Sequence, residues 1–141
     1  MSLEEKEPTS HQTHYMQLFP RKKKPRFRDT IAVDFDGTLN SYVTPTKHNK
    51  AYEIPDPPVP GALEWIKEVS QHFNVVVFSA RASGPGGHDA IVQWLAKWGF
   101  PDLPVTSEKP IAKIYLDDRA IQFSGEFPSV DLIKNFKPYN R

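Results

Sequence analysis

The sequence predicts an α/β fold, a sandwich built on a mostly parallel central sheet. Strand-like apolar runs alternate with segments of helical period, which is the signature of that class. The central run, Val75-Val76-Val77-Phe78, is β-branched and apolar without alternation, as in a strand buried on both faces. Three strand-like runs end in chemically able residues: Asp34 and Asp36, then Ser79, then Asp117 and Asp118. In a parallel sheet those carboxyl ends converge on one rim, where such folds bind ligands.

The elements follow in order. Thr30 to Phe35 reads as a buried strand running into Asp-Phe-Asp-Gly-Thr, residues 34–38, and Ser41 to Val59 as a Pro-rich loop without period. Period-2 geometry puts Asp34 and Asp36 on one side and Phe35 on the other. Pro60 to Phe73 is expected to be a helix, with Pro60 near its first turn and Leu63, Ile66, Val69 and Phe73 on one face. A strand over Val75–Ser79 leads into the glycine-rich turn Ser83–Gly87. His88 to Trp98 is a second helix, using Ile91, Trp94, Leu95 and Trp98 and closed by Gly99. Short strands are expected over Leu103–Thr106 and Lys113–Leu116. Phe123 to Arg141 closes the unit, with a short helix over Val130–Phe136.

Of the 141 residues, 1–29 carry little apolar periodicity and are read as a mobile basic arm, and 30–141 as one catalytic domain. Net charge is +1, yet six of the eighteen Lys and Arg lie between Arg21 and Arg28, so positive charge is local. Cysteine is absent, which excludes a disulfide framework, a thiolate metal site and a cysteine nucleophile. No stretch approaches a membrane span, and the N-terminus has no apolar signal core, so a cytoplasmic protein without membrane contact is expected.

D-x-D-G-T at 34–38, an apolar strand ending in Ser79, Lys109-Pro110 and a strand ending in Asp117-Asp118 come in the order of the haloacid dehalogenase-like (HAD) phosphohydrolases, which the chain resembles over nearly all of 30–141. The resemblance implies a Rossmann-like three-layer sandwich and a phosphatase that hydrolyses phosphate monoesters through an aspartyl phosphate. It makes Asp34 the nucleophile and Asp36 the general acid and then base. Ser79 and Lys109 would bind the transferring phosphoryl group, and Lys109 would also steady Asp34. Mg2+ would be held by Asp34, the backbone carbonyl of Asp36, Asp117 and Asp118. The chemistry asks for these types in its own right. A covalent carboxylate intermediate divides a very high barrier, an oxygen-ligated cation offsets repulsion between carboxylate and phosphate, and a proton donor meets the leaving oxygen.

Some positions admit two readings. Lys113 competes with Lys109, but stands where its strand begins, far from the active rim. Arg81 could bind substrate by gripping a second phosphate or pair with the acids; for Arg119, open to the same two roles, an ion pair is preferred. His88 is read as decoration of a helix start, and Trp94 and Trp98 as core. Only about 40 residues separate Asp36 from Ser79, and about 30 separate Ser79 from Lys109, so no cap domain fits. The loop 41–59 is left as the shield, a candidate flap. Partners are a phosphorylated small molecule or nucleic-acid end, nucleic acid held through residues 21–28, and a second copy of the chain. The alternative function is accordingly a polynucleotide phosphatase or a nucleic-acid-binding protein. A receiver-type signalling module is disfavoured by motif order, since its acid pair comes first.

Overall fold

The computed structural model describes residues 29–140. The basic run at 21–28, with its proposed nucleic-acid contact, lies outside the described residues. Among the described residues four strands are present: β1 (Thr30–Asp34), β2 (Asn74–Phe78), β3 (Val105–Thr106) and β4 (Ile114–Leu116). They form one sheet of order β3-β2-β1-β4, parallel at every pairing, so the expected α/β class with a parallel sheet is present. Among the described residues three α-helices accompany them: α1 (Ala62–Val69), α2 (Gly87–Lys97) and α3 (Val130–Lys134).

Hydrophobic burial selects these elements. Ile31, Val33, Val75 and Val77 share one face of β1 and β2, by period-2 alternation, and belong to the same core cluster as Ile66 of α1 and Ile91, Trp94 and Leu95 of α2. Phe35 meets Trp94 edge to face at 5.0 Å, and Trp94 stacks on Phe100 at 5.5 Å, contacts that hold α2 against the strand end. Ala32 and Val76, on the opposite face, are also buried.

Element ends differ from expectation for local reasons. The first helix starts at Ala62, because Gly61 takes a left-handed conformation (φ 89°) just before it. It ends at Val69, and Ser70 to Phe73 continue as turns, with Phe73 N–H donating to Val69 O. Strand β3 has two residues, since Pro104 supplies a carbonyl to Val77 N–H but no donor of its own. β4 is an edge strand, and its Ile114, Tyr115 and Leu116 are each over 40% exposed, unlike the covered strands β1 and β2. Among the described residues no helix is long and apolar enough to cross a membrane.

Register decides where the chemistry falls. Asp34 is level with Phe78, Phe78 with Thr106, and Val33 with Leu116. Ser79 and Asp117 therefore each lie one residue beyond a paired strand position, on the same rim as Asp34.

Candidate active site

β1 ends at Asp34, and the chain then turns over the rim. The Phe35 carbonyl accepts from the N–H groups of Thr38, Leu39 and Asn40 at 3.0–3.2 Å, and Gly37 N–H donates to Asn40 O at 2.7 Å. Gly37 has φ 85°, a region that L side chains avoid. A Cβ at this position would also run into the Asp118 carboxylate. The glycine thus lets the loop after β4 close onto the turn after β1.

That approach assembles the acids. Carboxylate oxygens of Asp34, Asp117 and Asp118 all lie within 4.8 Å of one another. Burial, first, pushes the Asp34 carboxyl up to about 8; a hydrogen bond with Asp118 and the charges of Asp117 and Asp118 add to it, and a backbone hydrogen bond at Phe35 works the other way. The Asp34 carboxyl therefore keeps its proton near neutral pH. Asp117 Oδ1 accepts from Arg119 N–H at 2.8 Å, which fixes the start of the loop. Arg119 contributes its backbone here, and its guanidinium makes no ion pair with a described residue.

Asp36 is directed elsewhere. Its Oδ1 accepts from Asn40 Nδ2 at 2.9 Å and from Arg81 Nη2 at 2.9 Å, and its Oδ2 accepts from Arg81 Nε at 2.9 Å. The Arg81 side chain is 5% exposed, so this is a shielded charge pair. Arg81 Nη1 donates to the carbonyls of Ala51 and Glu53 at 2.8 and 2.9 Å, and Nη2 also donates to Thr46 Oγ1 at 3.0 Å. All five guanidinium donors are thereby engaged within the protein. Of the two roles open to Arg81 the structure forms the pair with an acid; a grip on substrate would require these bonds to break.

Ser79 is buried and follows β2, its N–H donating to Thr106 O at 3.0 Å. Its Oγ accepts from Arg81 N–H at 3.1 Å, capping the 3-10 turn Ala80–Ser83. That bond leaves the hydroxyl proton to be donated. Lys109 is exposed, and its ammonium stands 4.5 Å over the Tyr115 ring, a cation–π contact, with no ion pair to a described carboxylate. The expected steadying of Asp34 by Lys109 is not formed in this arrangement. The Lys113 backbone N–H donates to Thr30 O at the opposite, amino end of the sheet, as its place in the sequence implied. His88 sits by Asp89 on the exposed start of α2.

The loop 41–59 is fastened in place. Asp56, buried, accepts from Thr44 N–H and Oγ1 at 2.7 and 2.8 Å, and its carbonyl accepts from Trp94 Nε1 at 2.9 Å. Ser41 N–H donates to Pro57 O, and Val59 N–H to Leu39 O. These bonds and Arg81 make the segment a strap across the rim. Asn40, Thr46 and Asp56 went unread in the sequence. Asn40, four residues after Asp36, had a local signal in the turn itself; the other two act on partners remote in sequence.

The structure therefore defines a parallel α/β unit with a three-carboxylate cluster at the carboxyl edge of its sheet and a fourth carboxylate held separately on an arginine. No protein-family model, curated protein or solved structure matches this chain.

Proposed function

We propose that this chain is a Mg2+-dependent phosphohydrolase of the HAD-like, capless type, with a Rossmann-like three-layer fold, that cleaves phosphate monoesters through an aspartyl phosphate on Asp34. The observation that carries the reading is the separation of the two carboxylates of one motif. Asp34 lies among acids at the strand end, while Asp36, two residues on, lies on Arg81. Environments of opposite sign are how paired carboxyls acquire different tasks.

The donor set of Asp34, Asp117 and Asp118 fits a hard cation: oxygen ligands only, close together, with a proton on Asp34 that a cation would displace. When bound there, Mg2+ supplies the positive charge that lets Asp34 ionise and a phosphate dianion approach. An Asp34 carboxylate oxygen then attacks phosphorus as the bond to the leaving oxygen breaks, and Asp36, after taking up a proton from solvent against its pairing with Arg81, gives that oxygen the proton. In the second half Asp36 takes a proton from water, the resulting hydroxide attacks phosphorus, and the Asp34–phosphorus bond breaks to release inorganic phosphate. Ser79 donates its hydroxyl proton to a phosphoryl oxygen, and Lys109 joins it after leaving Tyr115. The substrate is a phosphorylated small molecule or nucleic-acid end, met in the cytoplasm.

Phosphate release from aryl phosphates, sugar phosphates, nucleotides and end-phosphorylated oligonucleotides, with Mg2+ or with chelator, tests this reading. Mg2+-dependent turnover that Asp34→Asn abolishes is expected. Release at the same rate by wild type and Asp34→Asn, or none from the whole panel, refutes it.

A further inference from the structure

The two edges of the sheet are finished differently. β3 is buried, with Val105 at 6% and Thr106 at 3% exposure, whereas Ile114, Tyr115 and Leu116 of β4 stand at 46%, 43% and 41%. The direction of the backbone groups on that open edge follows by alternation across the sheet. Val77 N–H donates to Pro104 O, on the β3 side. Val76 therefore faces β1 and bonds the residues on either side of its partner Ala32. Ala32 then faces β4 and bonds Ile114 and Leu116, which flank its partner Tyr115. The N–H and C=O of Tyr115 are left pointing out from the edge, where such groups are a template for another strand.

The side chains around that edge are apolar. Of the sixteen large hydrophobic residues exposed among the described residues, twelve lie between Ile111 and Tyr139, before, on and after β4. Phe123 and Phe127, two of them, touch at 5.1 Å. At about 200 Å² for a whole large side chain, the twelve leave on the order of 1,000 Å² in water. One subunit of a standard-size interface gives up roughly 800 Å², so this segment alone offers what a stable dimer needs.

From this geometry we infer that two copies of the chain pair through β4, antiparallel about a two-fold axis at Tyr115, into one continuous sheet. Tyr115 lies opposite its own counterpart and exchanges both backbone bonds with it, and Ile114 lies opposite Leu116 of the partner subunit. One place further out, Lys113 lies opposite Asp117 of the partner subunit, and the reverse, so unlike charges meet on both flanks. Moving the axis one residue either way loses both charge pairs. The strand is short, and most of the association comes from the apolar surface beside it. Antiparallel pairing also carries each Lys113, remote from its own rim, to the acid rim of the other copy.

Sedimentation equilibrium of the full-length chain tests the association. A dimer is expected at about 100 µM, and a monomer at that concentration overturns the inference. Tyr115→Pro removes the outward N–H and leaves the bonds to β1, and Lys113→Glu sets two acids face to face. Each is expected to weaken dimerisation about 10-fold or more. Lys113 is exposed, so its variant keeps the fold even where Tyr115→Pro does not. Cross-linking tests the register. The chain has no cysteine, so Ile114→Cys and Leu116→Cys each place a single thiol. Opposite each other across the axis, their Cα atoms stand about 4.5 Å apart, within reach of a disulfide. Oxidation of the two variants after mixing is expected to give several-fold more covalent dimer than either variant alone. Equal yields from the mixture and the separate variants, or a dimer that neither Tyr115→Pro nor Lys113→Glu weakens, put the contact elsewhere and overturn the inference.

Discussion

Replacing Asp34 by Asn should stabilise the metal-free protein, and the gain should grow with pH. The Asp34 carboxyl is raised from the ordinary 3.8 to about 8 by burial and by Asp118 and Asp117. Below 3.8 the folded and unfolded chains both hold this proton, so the stability tied to it is fully present. As pH rises the unfolded chain releases the proton first, and folding must keep it bound or bury a charge. The contribution is therefore lost progressively until pH passes about 8. Each tenfold change in proton affinity is about 1.4 kcal/mol, so between about pH 5.5 and about pH 8.5 the loss is on the order of 3 kcal/mol. Asparagine has no such proton, and the difference between variant and wild type isolates Asp34 from other groups that titrate in this window. Chemical unfolding in chelator at both pH values measures it. The advantage of Asp34→Asn should widen by roughly 3 kcal/mol, or roughly 10–20 °C in midpoint for a domain of this size. If the acids hold Mg2+ as proposed, the ion should then raise the wild-type midpoint more than the variant's. An advantage that does not change with pH would refute the account of the cluster.

Gly37→Ala should cost about 2 kcal/mol or more, since it combines a left-handed backbone with a methyl group in the place of the Asp118 carboxylate; calorimetric titration should show weakened Mg2+ binding. Asp56→Ala removes the acceptor of Thr44 N–H and Oγ1 and should cost about 2 kcal/mol in equilibrium unfolding, with the gain in proteolytic sensitivity confined to the strap. Lys109→Met should leave Mg2+ affinity within about twofold and weaken inhibition by inorganic phosphate about 10-fold, because the ammonium rests on Tyr115 outside the acid cluster.

The strands were legible because burial and β-branching act locally: Ile31, Val33 and Val75–Val77 have one stable use, inside a parallel sheet. Once they pair in register, the convergence of Asp34, Ser79 and Asp117 follows from strand length alone. The strap was legible only as an aperiodic segment. Its order comes from Arg81, Trp94 and Asn140, which lie 28 to 99 residues from their partners in it. No local pattern encodes such bonds. The same holds for the place of β4: its apolar residues made a strand legible, and its position at an exposed sheet edge was not.

Spacing along the chain identified the acids and left the choice of cations open, and charge explains the difference. A carboxylate at a strand end is placed by the backbone, so its neighbours in sequence reveal its position. A long cationic side chain can reach several acids, and desolvation decides among them. Arg81, with a fork able to satisfy a carboxylate and three strap acceptors, occupies the shielded site beside Asp36. Lys109, a strongly hydrated point charge, remains exposed on Tyr115. Asp34, Asp117 and Asp118 are left without an ion pair to a described lysine or arginine, holding a proton in place of a countercharge. Three ionised carboxylates carry three negative charges. One lysine would leave two, facing a phosphate dianion; a divalent cation leaves one, and Lys109 drawn across by the phosphate would cancel that last charge. Under the proposed phosphohydrolase reading the divalent ion would ionise Asp34 and Lys109 would answer the substrate, leaving Tyr115 when phosphate arrives.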